Sequence, residues 1–341
     1  MTTVSEDEHD KTIAECTEAI EACPDDVDAL SLRGWAWNKK KQYDRAIADF
    51  DKALCWDPDR VDVLNNRALS YSGKGEHELA IADFTEAITH ASDDGDLHHF
   101  YFNRGRSRRL NRAFEDAIED FNTAIRLDDQ YVKAYRLRGH AWADLGQHHR
   151  AIEDFDYVIR IGSGTAADFH SRGNAWVSLD RFRKAIADFT KAIHLDPNSR
   201  AAAKTYNSRG VAWKRKGSYA KTLSDYERAL SLDPDSAQRH AVLAEFLATC
   251  PNKRFRDGAR ALELITEACE LTNEYSEDYL GCIASAYAAK GDFCSAIEFQ
   301  RRALDLATVE EDRETMRLYI ESYQAGLLCL AAPPTWRARW S

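Results

Sequence analysis

The sequence contains few of the residues that interrupt helices. It has 7 Pro and 16 Gly among 341 residues, and a helix tolerates these two types least. No run of about 18 apolar residues occurs, which is the length that a membrane-spanning helix needs. Hydrophobic residues still make up 44% of the chain and charged residues 30%. This composition predicts an ordered, helix-rich protein and argues against a disordered or collagen-like chain.

Cysteine patterns typical of disulfide frameworks or zinc sites are also missing. The 8 cysteines form no C-x-x-C pair and have no zinc-like spacing. We therefore expect reduced thiols that are mostly buried. The start of the sequence, "MTTVSEDEHDKTIAEC", is acidic and lacks the apolar stretch of a signal peptide, so we expect a cytoplasmic location.

Motifs that carry catalysis or bind cofactors are absent as well. The sequence has no G-x-S-x-G and no H-E-x-x-H. The glycine-rich stretch "IGSGTAAD" at 161–168 lacks the Gly-Lys pair of a phosphate loop and aligns with turns elsewhere, so we expect a turn there. The pairs His98–His99 and His148–His149 have no third metal ligand at a useful spacing. We expect no enzymatic activity, no metal and no cofactor.

The net charge further limits the class of partner. The net charge is −11, which argues against binding to nucleic acid or to an anionic membrane over a large surface, because phosphate contacts require clustered Lys and Arg. The remaining expectation is a partner that is itself a protein or peptide.

What the sequence does contain is repetition. Residues 43–58 read "YDRAIADFDKALCWDP" and residues 181–197 read "RFRKAIADFTKAIHLDP". A small residue recurs at steps of 34, 37, 34, 34 and 37 positions, so the period is 34 with two insertions of three residues. The small residues are Gly34, Ala68, Gly105, Gly139, Gly173 and Gly210.

Other positions repeat in register with the small residue. Sixteen positions later there is always an aromatic residue, and twelve and nineteen positions later there is usually Ala. The aromatic residues are Phe50, Phe84, Phe121, Phe155, Phe189 and Tyr226. A Trp or Tyr follows the small residue after three positions, except at Arg108, and Thr222 replaces one Ala. Apolar residues recur every three or four positions, which predicts a pair of antiparallel helices in each repeat.

This pattern resembles the tetratricopeptide repeat, in a tandem array of the bacterial type. The resemblance implies an all-α, right-handed superhelical solenoid of about eight to nine antiparallel helix pairs. It predicts an opening half-repeat, six regular repeats, two divergent repeats, and a capping helix followed by a flexible tail. Their boundaries are 1–26; 27–60, 61–97, 98–131, 132–165, 166–202 and 203–236; 237–309; and 310–341.

An Arg precedes each small residue, and an Asp follows it after fifteen positions. We expect the Arg and the Asp to pair structurally, because residues that bind a ligand would differ from repeat to repeat. Arg suits this role since its planar fork matches a carboxylate. The pairs are Arg33 and Asp49, Arg67 and Asp83, Arg104 and Asp120, Arg138 and Asp154, Arg172 and Asp188, and Arg209 and Asp225.

In the family that the chain resembles, the first helix of each pair lines a concave surface that holds an extended peptide. This implies a set of candidate peptide-binding residues, most of them cationic or amide side chains. We expect them to bind an acidic segment of a partner protein, or a C-terminal carboxylate. The candidates are Asn66, Phe102, Asn103, Arg106, Arg109, Lys133, Arg136, His140, Asn174, Lys204, Asn207 and Lys214.

Some members of the family clamp a C-terminal carboxylate with Lys and Asn on one repeat, Asn on the next, and Lys and Arg on the third. Asn103 and Lys133 match this pattern here. Asn65, Leu69 and Leu137 stand where Lys, Asn and Arg are expected. A looser acidic-peptide groove and a solvated face without preference therefore both remain open.

The alternative from a different class is self-assembly through the divergent C-terminal repeats. The apolar run "GLLCLAAPP" at 326–334, together with Trp336 and Trp340, motivates this alternative.

Overall fold

The structure, a computed structural model, describes residues 6–91 and 97–329. All regular elements in these two ranges are helical. The chain divides into two compact bodies, Met1–Ser163 and Gly164–Ser341. Helices that are consecutive in the chain contact each other within each body.

The N-terminal body contains one opening helix followed by four helix pairs. Its helices are α1 (Glu6–Ala22), α2 (Val27–Lys39), α3 (Tyr43–Trp56), α4 (Val61–Lys74), α5 (His77–His90), α6 (Leu97–Leu110), α7 (Phe114–Leu127), α8 (Val132–Asp144) and α9 (His148–Arg160).

The C-terminal body contains four further pairs and a last helix. Its helices are α10 (Ala166–Ser178), α11 (Phe182–Leu195), α12 (Arg200–Arg215), α13 (Tyr219–Leu232), α14 (Ala237–Thr249), α15 (Gly258–Thr272), α16 (Glu277–Ala289), α17 (Phe293–Leu306) and α18 (Glu310–Gln324). A short 3₁₀ turn at Lys253–Phe255 lies in the lengthened loop before α15. The described ranges contain no helix that combines the length and the apolarity needed to span a bilayer.

The two helices of a pair approach closely where the small residue meets the aromatic residue of the same repeat. A Cβ atom placed on Gly34 would lie 2.6 Å from the ring of Phe50, and one on Gly173 would lie 2.6 Å from the ring of Phe189. The rings themselves are fully buried, as at Phe50 and Phe189. The predicted packing of small against aromatic residues, and the all-α repeat fold, are confirmed.

The turn inside each regular pair contains a residue in the left-handed region of the backbone. Gly75, Gly146 and Gly217 occupy this position in three repeats, with φ of 90°, 74° and 72°. Lys41 and Arg112 adopt φ of 58° and 64° at the equivalent position. Because a side chain is strained at positive φ, the tight turn is imposed by the helix packing on either side of it.

The predicted Arg–Asp pairs are present in all six regular repeats. In the first, Arg33 Nε lies 2.8 Å from Asp49 Oδ2 and Arg33 Nη2 lies 2.7 Å from Asp49 Oδ1, so the pair is two-pronged. The other five pairs share this geometry. The six carboxylates are buried, which explains why the position repeats without variation.

The third nitrogen of the guanidinium connects successive repeats. Arg33 Nη1 donates to Thr17 on α1 at 3.1 Å, and Arg138 Nη1 donates to Asn122 on α7 at 2.6 Å. Arg67, Arg104 and Arg209 make the same kind of contact to the second helix of the preceding repeat. Helix α1 therefore stands in the place of a second helix. Cys16 on α1 is buried, and Ile13, Ala19 and Ile20 are half-buried.

The two departures from the repeat pattern are accommodated locally. Arg108, which replaces the aromatic residue, places Nη1 2.8 Å from Asp120 Oδ2, so this carboxylate is paired with two arginines. Thr222 is fully buried, and its hydroxyl donates to the Ser218 carbonyl at 3.3 Å. In both cases the polar side chain has a partner within its own repeat, and the helix pair is retained.

Four tryptophans three positions after the small residue carry a cation over their rings. Arg45 lies 4.7 Å from the ring centroid of Trp37, and Lys184 lies 4.0 Å from that of Trp176. Trp142 with Arg150 and Trp213 with Lys221 are arranged likewise. In each case the cation is eight positions after the tryptophan, and the contact joins the two helices of a pair.

The cysteines are free thiols, but only half of them are buried. Cys16, Cys250, Cys269 and Cys282 are buried, and Cys329 is half-buried. The expectation of mostly buried thiols is wrong for Cys23, Cys55 and Cys294, which are exposed. Burial raises the pKa of the Cys282 thiol well above its ordinary value, so the thiol stays protonated.

The last helix α18 covers the end of the final pair. Met316 and Tyr323 are buried, whereas Leu318 and Leu327 are each 61% exposed. The predicted flexible tail, including Trp336 and Trp340, lies outside the described residues.

Gln300 occupies the aromatic position of the last helix pair. It follows Ala284 by sixteen positions, is fully buried, and neither its amide nitrogen nor its amide oxygen has a partner among the described residues. In the unfolded chain this amide is hydrogen-bonded to water, and in the folded state it loses these bonds without replacement. Its burial therefore lowers the free energy of unfolding. The final repeat is therefore less stable than its helix pattern suggests.

We predict that Gln300→Met raises the free energy of unfolding by about 1–3 kcal/mol, because a side chain of similar length replaces an unpartnered buried amide. Chemical denaturation measures the change. The exposed Gln324→Met is the control and should leave stability unaltered. A destabilised Gln300→Met variant would show that the amide has a partner in solution.

We predict that Arg138→Ala lowers the free energy of unfolding by about 1–3 kcal/mol, because Asp154 is 4% exposed and loses its two-pronged partner. The exposed Arg126→Ala on α7 is the matched control and should change stability by less than about 0.5 kcal/mol. Thermal melting of both variants gives the comparison, and equal melting temperatures would contradict the role of the pair.

The loss in Arg138→Ala should depend on pH. Burial raises the pKa of Asp154 above its ordinary value, and Arg138 opposes this shift. Without Arg138 the folded-state pKa rises further, so the folded protein takes up a proton at a higher pH than the unfolded chain does. The difference in stability from the wild type should therefore shrink as the pH falls from neutral through that folded-state pKa. A difference that is constant with pH would contradict this assignment.

Candidate functional site

The first helices of successive pairs lie side by side in the N-terminal body. Helix α2 contacts α4, α4 contacts α6, and α6 contacts α8. We call the surface formed by these four helices the first-helix face. The Arg–Asp pairs hold each of these helices against its second helix, so the remaining first-helix positions are available to line this face.

A groove on the first-helix face gathers four of the predicted binding residues, Phe102, Asn103, Arg106 and Lys133. Its volume is about 400 Å³. We call it the basic groove, and its lining residues are Asn65, His99, Phe100, Phe102, Asn103, Arg106, Tyr131 and Lys133.

Aromatic rings form a packed wall in the basic groove. The ring of Phe102 lies 5.1 Å from that of Tyr131, edge to face, and 6.1 Å from that of the buried Phe121. Tyr131 Oη lies 3.2 Å from His99 Nδ1. Burial, with a smaller contribution from the Asp128 carboxylate, raises the pKa of Tyr131 to about 12. The hydroxyl therefore keeps its proton at neutral pH.

The cations of the basic groove carry uncompensated charge. Arg106 and Lys133 are exposed, and no carboxylate among the described residues lies within ion-pair distance of either. The neighbouring Arg109 differs, because its Nε lies 2.7 Å from Asp144 Oδ2. The basic groove thus combines fixed positive charge with an aromatic wall.

An unsatisfied acceptor also lies in the basic groove. Asn65 Oδ1 is buried and has no hydrogen-bond partner among the described residues. A buried amide oxygen in a binding groove is suited to accept a hydrogen bond from a ligand N–H.

The other predicted residues of the N-terminal body lie outside the basic groove. Asn66 lines a second groove of the same face together with Asp28, Trp35 and Arg60. Arg136 Nη2 donates to the Ser163 carbonyl at 3.4 Å. The half-buried ring of His140 packs edge-on against Phe155, with 5.2 Å between centroids.

In the C-terminal body the predicted residues do not share one groove. Lys204 lines a small pocket with walls of alanine, whereas Asn174 Nδ2 lies 3.0 Å from His170 Nε2. Lys214 is paired with Glu245 at 2.9 Å. The expectation of an exposed side chain is wrong for Asn207, which lies on α12 and is only 6% exposed.

Tyr131 is a groove residue that the repeat pattern did not predict. It is the N-cap residue of α8 and precedes the positions that line the peptide-binding surface of the family. The sequence did contain a signal for Tyr131, because this aromatic residue stands two positions before Lys133, at the predicted start of a first helix. Among the described residues, no three His, Cys, Asp or Glu side chains cluster closely enough to hold a metal ion.

Comparison with known proteins gives a consistent result. A family model described as "Tetratricopeptide repeat" matches residues 13–62, 65–131, 102–166 and 171–237, which is more than half of the chain. The human protein DnaJ homolog subfamily C member 7 is 43% identical over 51 residues, 15% of this chain and 10% of that protein. The chain thus matches only about a tenth of the length of this curated relative.

Two solved structures show the same fold at low identity. A tetratricopeptide repeat protein from Parabacteroides merdae is 14% identical with a TM-score of 0.58, over 77% of this chain and 98% of that chain. The C-terminal part of a repeat-containing protein from Cytophaga hutchinsonii is 19% identical with a TM-score of 0.58, over 71% of this chain and 95% of that chain.

Proposed function

We propose that this chain, which belongs to the tetratricopeptide repeat family, is a scaffold that binds an acidic peptide segment of a partner protein in the basic groove. Proteins of this family are generally scaffolds for protein–protein interaction and are typically not enzymes. The proposal extends that general role to a particular surface and a particular ligand chemistry.

The observation that carries the proposal is the local charge. In a chain with a net charge of −11, Arg106 and Lys133 lie in one groove without a paired carboxylate among the described residues. Surface cations of an acidic protein usually have acidic neighbours, as Arg109 and Arg60 do here. Exposed cations that converge on one groove favour a ligand of the opposite sign.

The remaining groove residues suit an extended peptide. Asn65 offers a buried acceptor and Asn103 a side-chain amide, so the backbone of a bound segment finds both acceptor and donor groups. Phe102 and Tyr131 supply rigid apolar contact at little cost in side-chain entropy. Because the groove is held by packed helices, little ordering of the protein accompanies binding.

We predict that the double variant Arg106→Glu with Lys133→Glu weakens binding of a short fluorescein-labelled peptide rich in Asp and Glu by at least about tenfold, which corresponds to 1.4 kcal/mol. Charge reversal replaces attraction by repulsion in the groove. Fluorescence anisotropy measures the affinity. The control is Lys52→Glu, an exposed lysine on the second helix α3 that lines none of these grooves.

The wild-type affinity should also fall as salt is raised. Salt screens the attraction between the exposed cations of the groove and the acidic peptide, with a Debye length of about 10 Å at 0.1 M ionic strength. Equal affinities for the double variant, the control and the wild type would show that the basic groove is only solvated surface. The same variants, used in affinity capture from lysate with mass spectrometry, test whether cellular partners depend on this groove.

A second candidate function is self-association through the C-terminal end. Leu318 on α18 and Leu327 just after it are each 61% exposed, which leaves apolar surface at the end of the last repeat. Analytical ultracentrifugation over a range of concentrations tests this role. A sedimentation coefficient that does not change with concentration would remove it.

A further inference from the structure

We propose that the basic groove recognises a phosphorylated side chain, phosphoserine or phosphothreonine, within the acidic segment. This inference rests on the proposed function and names the group that the groove is built to hold. The groove offers more hydrogen-bond donors and more positive charge than a single carboxylate can use.

The polar lining of the basic groove consists mainly of donors. Arg106 brings a planar fork with five N–H groups, Lys133 an ammonium group and Asn103 an amide. A carboxylate presents two oxygens, whereas a phosphate monoester presents three non-bridging oxygens and about −1.5 to −2 charge at pH 7. Arginine forks bind phosphate through two parallel hydrogen bonds, which gives geometric selectivity in addition to charge.

The Tyr131 hydroxyl adds a neutral polar group to the lining that contains these cations. It lies 3.2 Å from His99 Nδ1, so the hydroxyl and the imidazole form a hydrogen-bonded pair in the groove. Polar groups that are positioned before binding lose less entropy when they bind the anion.

The surroundings contain little that would repel a dianion. None of the described residues that line the basic groove is acidic. The carboxylate that influences Tyr131 is Asp128, and it lies 3.9 Å from His98 Nε2. The neighbouring groove on the same face differs, because it is lined by Asp28 and Asp62 and would disfavour phosphate. Of these two grooves, the charge of the lining residues favours phosphate binding in the basic groove.

The test uses the full-length protein and three fluorescein-labelled acidic peptides that are identical except at one central position, which carries Ser, Glu or phosphoserine. Anisotropy should show that the phosphoserine peptide binds at least about tenfold more tightly than the Glu peptide. Free inorganic phosphate, added as a competitor, should displace the peptide only at concentrations far above the peptide dissociation constant.

Two variants separate the phosphate-specific contribution from simple charge. Arg106→Gln should reduce the preference for phosphoserine over Glu to less than about threefold, and Arg106→Lys, which keeps the charge but loses the fork, should restore only part of it. Lys52→Gln is the matched control and should leave the preference unchanged. Circular dichroism confirms that each variant keeps its helix content.

The outcomes distinguish this inference from the proposed function. If the Glu and phosphoserine peptides bind equally well, the phosphate inference is wrong and the acidic-peptide groove stands. If neither peptide binds, the proposed function fails with it. If inorganic phosphate competes at concentrations close to the peptide dissociation constant, the groove is a site for the free anion, which overturns recognition of a phosphorylated segment.

Discussion

A two-pronged pair between one arginine and one buried aspartate is the interaction on which each repeat depends. The six carboxylates of these pairs are buried, so an arginine at any other position would leave a charge unpaired in the core. The pair fixes the register of the first helix against the second, and the third guanidinium nitrogen reaches back to the preceding repeat. The orientation of each first helix, and with it the first-helix face, follows from this arrangement.

Positions that do not take part in packing are free to vary from repeat to repeat. The second position of the repeat carries Asp28, Asp62, His99 and Lys133 along the N-terminal body, so the same backbone site changes from acidic to basic. Arg106 and Tyr131 add to this change in the basic groove. A constant scaffold thereby presents a local charge opposite in sign to that of the whole chain.

The fold was largely predictable because its determinants recur. A period of 34 residues, with Gly34 and Phe50 repeated in register, indicates helix pairs from the sequence alone, and the invariance of Arg33 and Asp49 indicated a structural pair. Phe102, Asn103, Arg106 and Lys133, which share the basic groove, were four of the twelve candidates taken from the resemblance. Features that depend on the packing of individual side chains were not predictable. They are the lack of a hydrogen-bond partner for the buried Gln300 amide, the second arginine, Arg108, on Asp120, and the position of Tyr131 in the groove.

Hydrogen–deuterium exchange by mass spectrometry, with and without a saturating acidic peptide, gives the most direct test of binding in the basic groove. It reports on the whole chain and assumes no binding site. If the peptide binds in the basic groove, protection should increase within α6 and around the start of α8, at residues 97–110 and 130–137, and change little elsewhere. Protection confined to α18 and the residues after it, or to the groove lined by Asp28 and Trp35, would contradict the claim that the basic groove binds the partner.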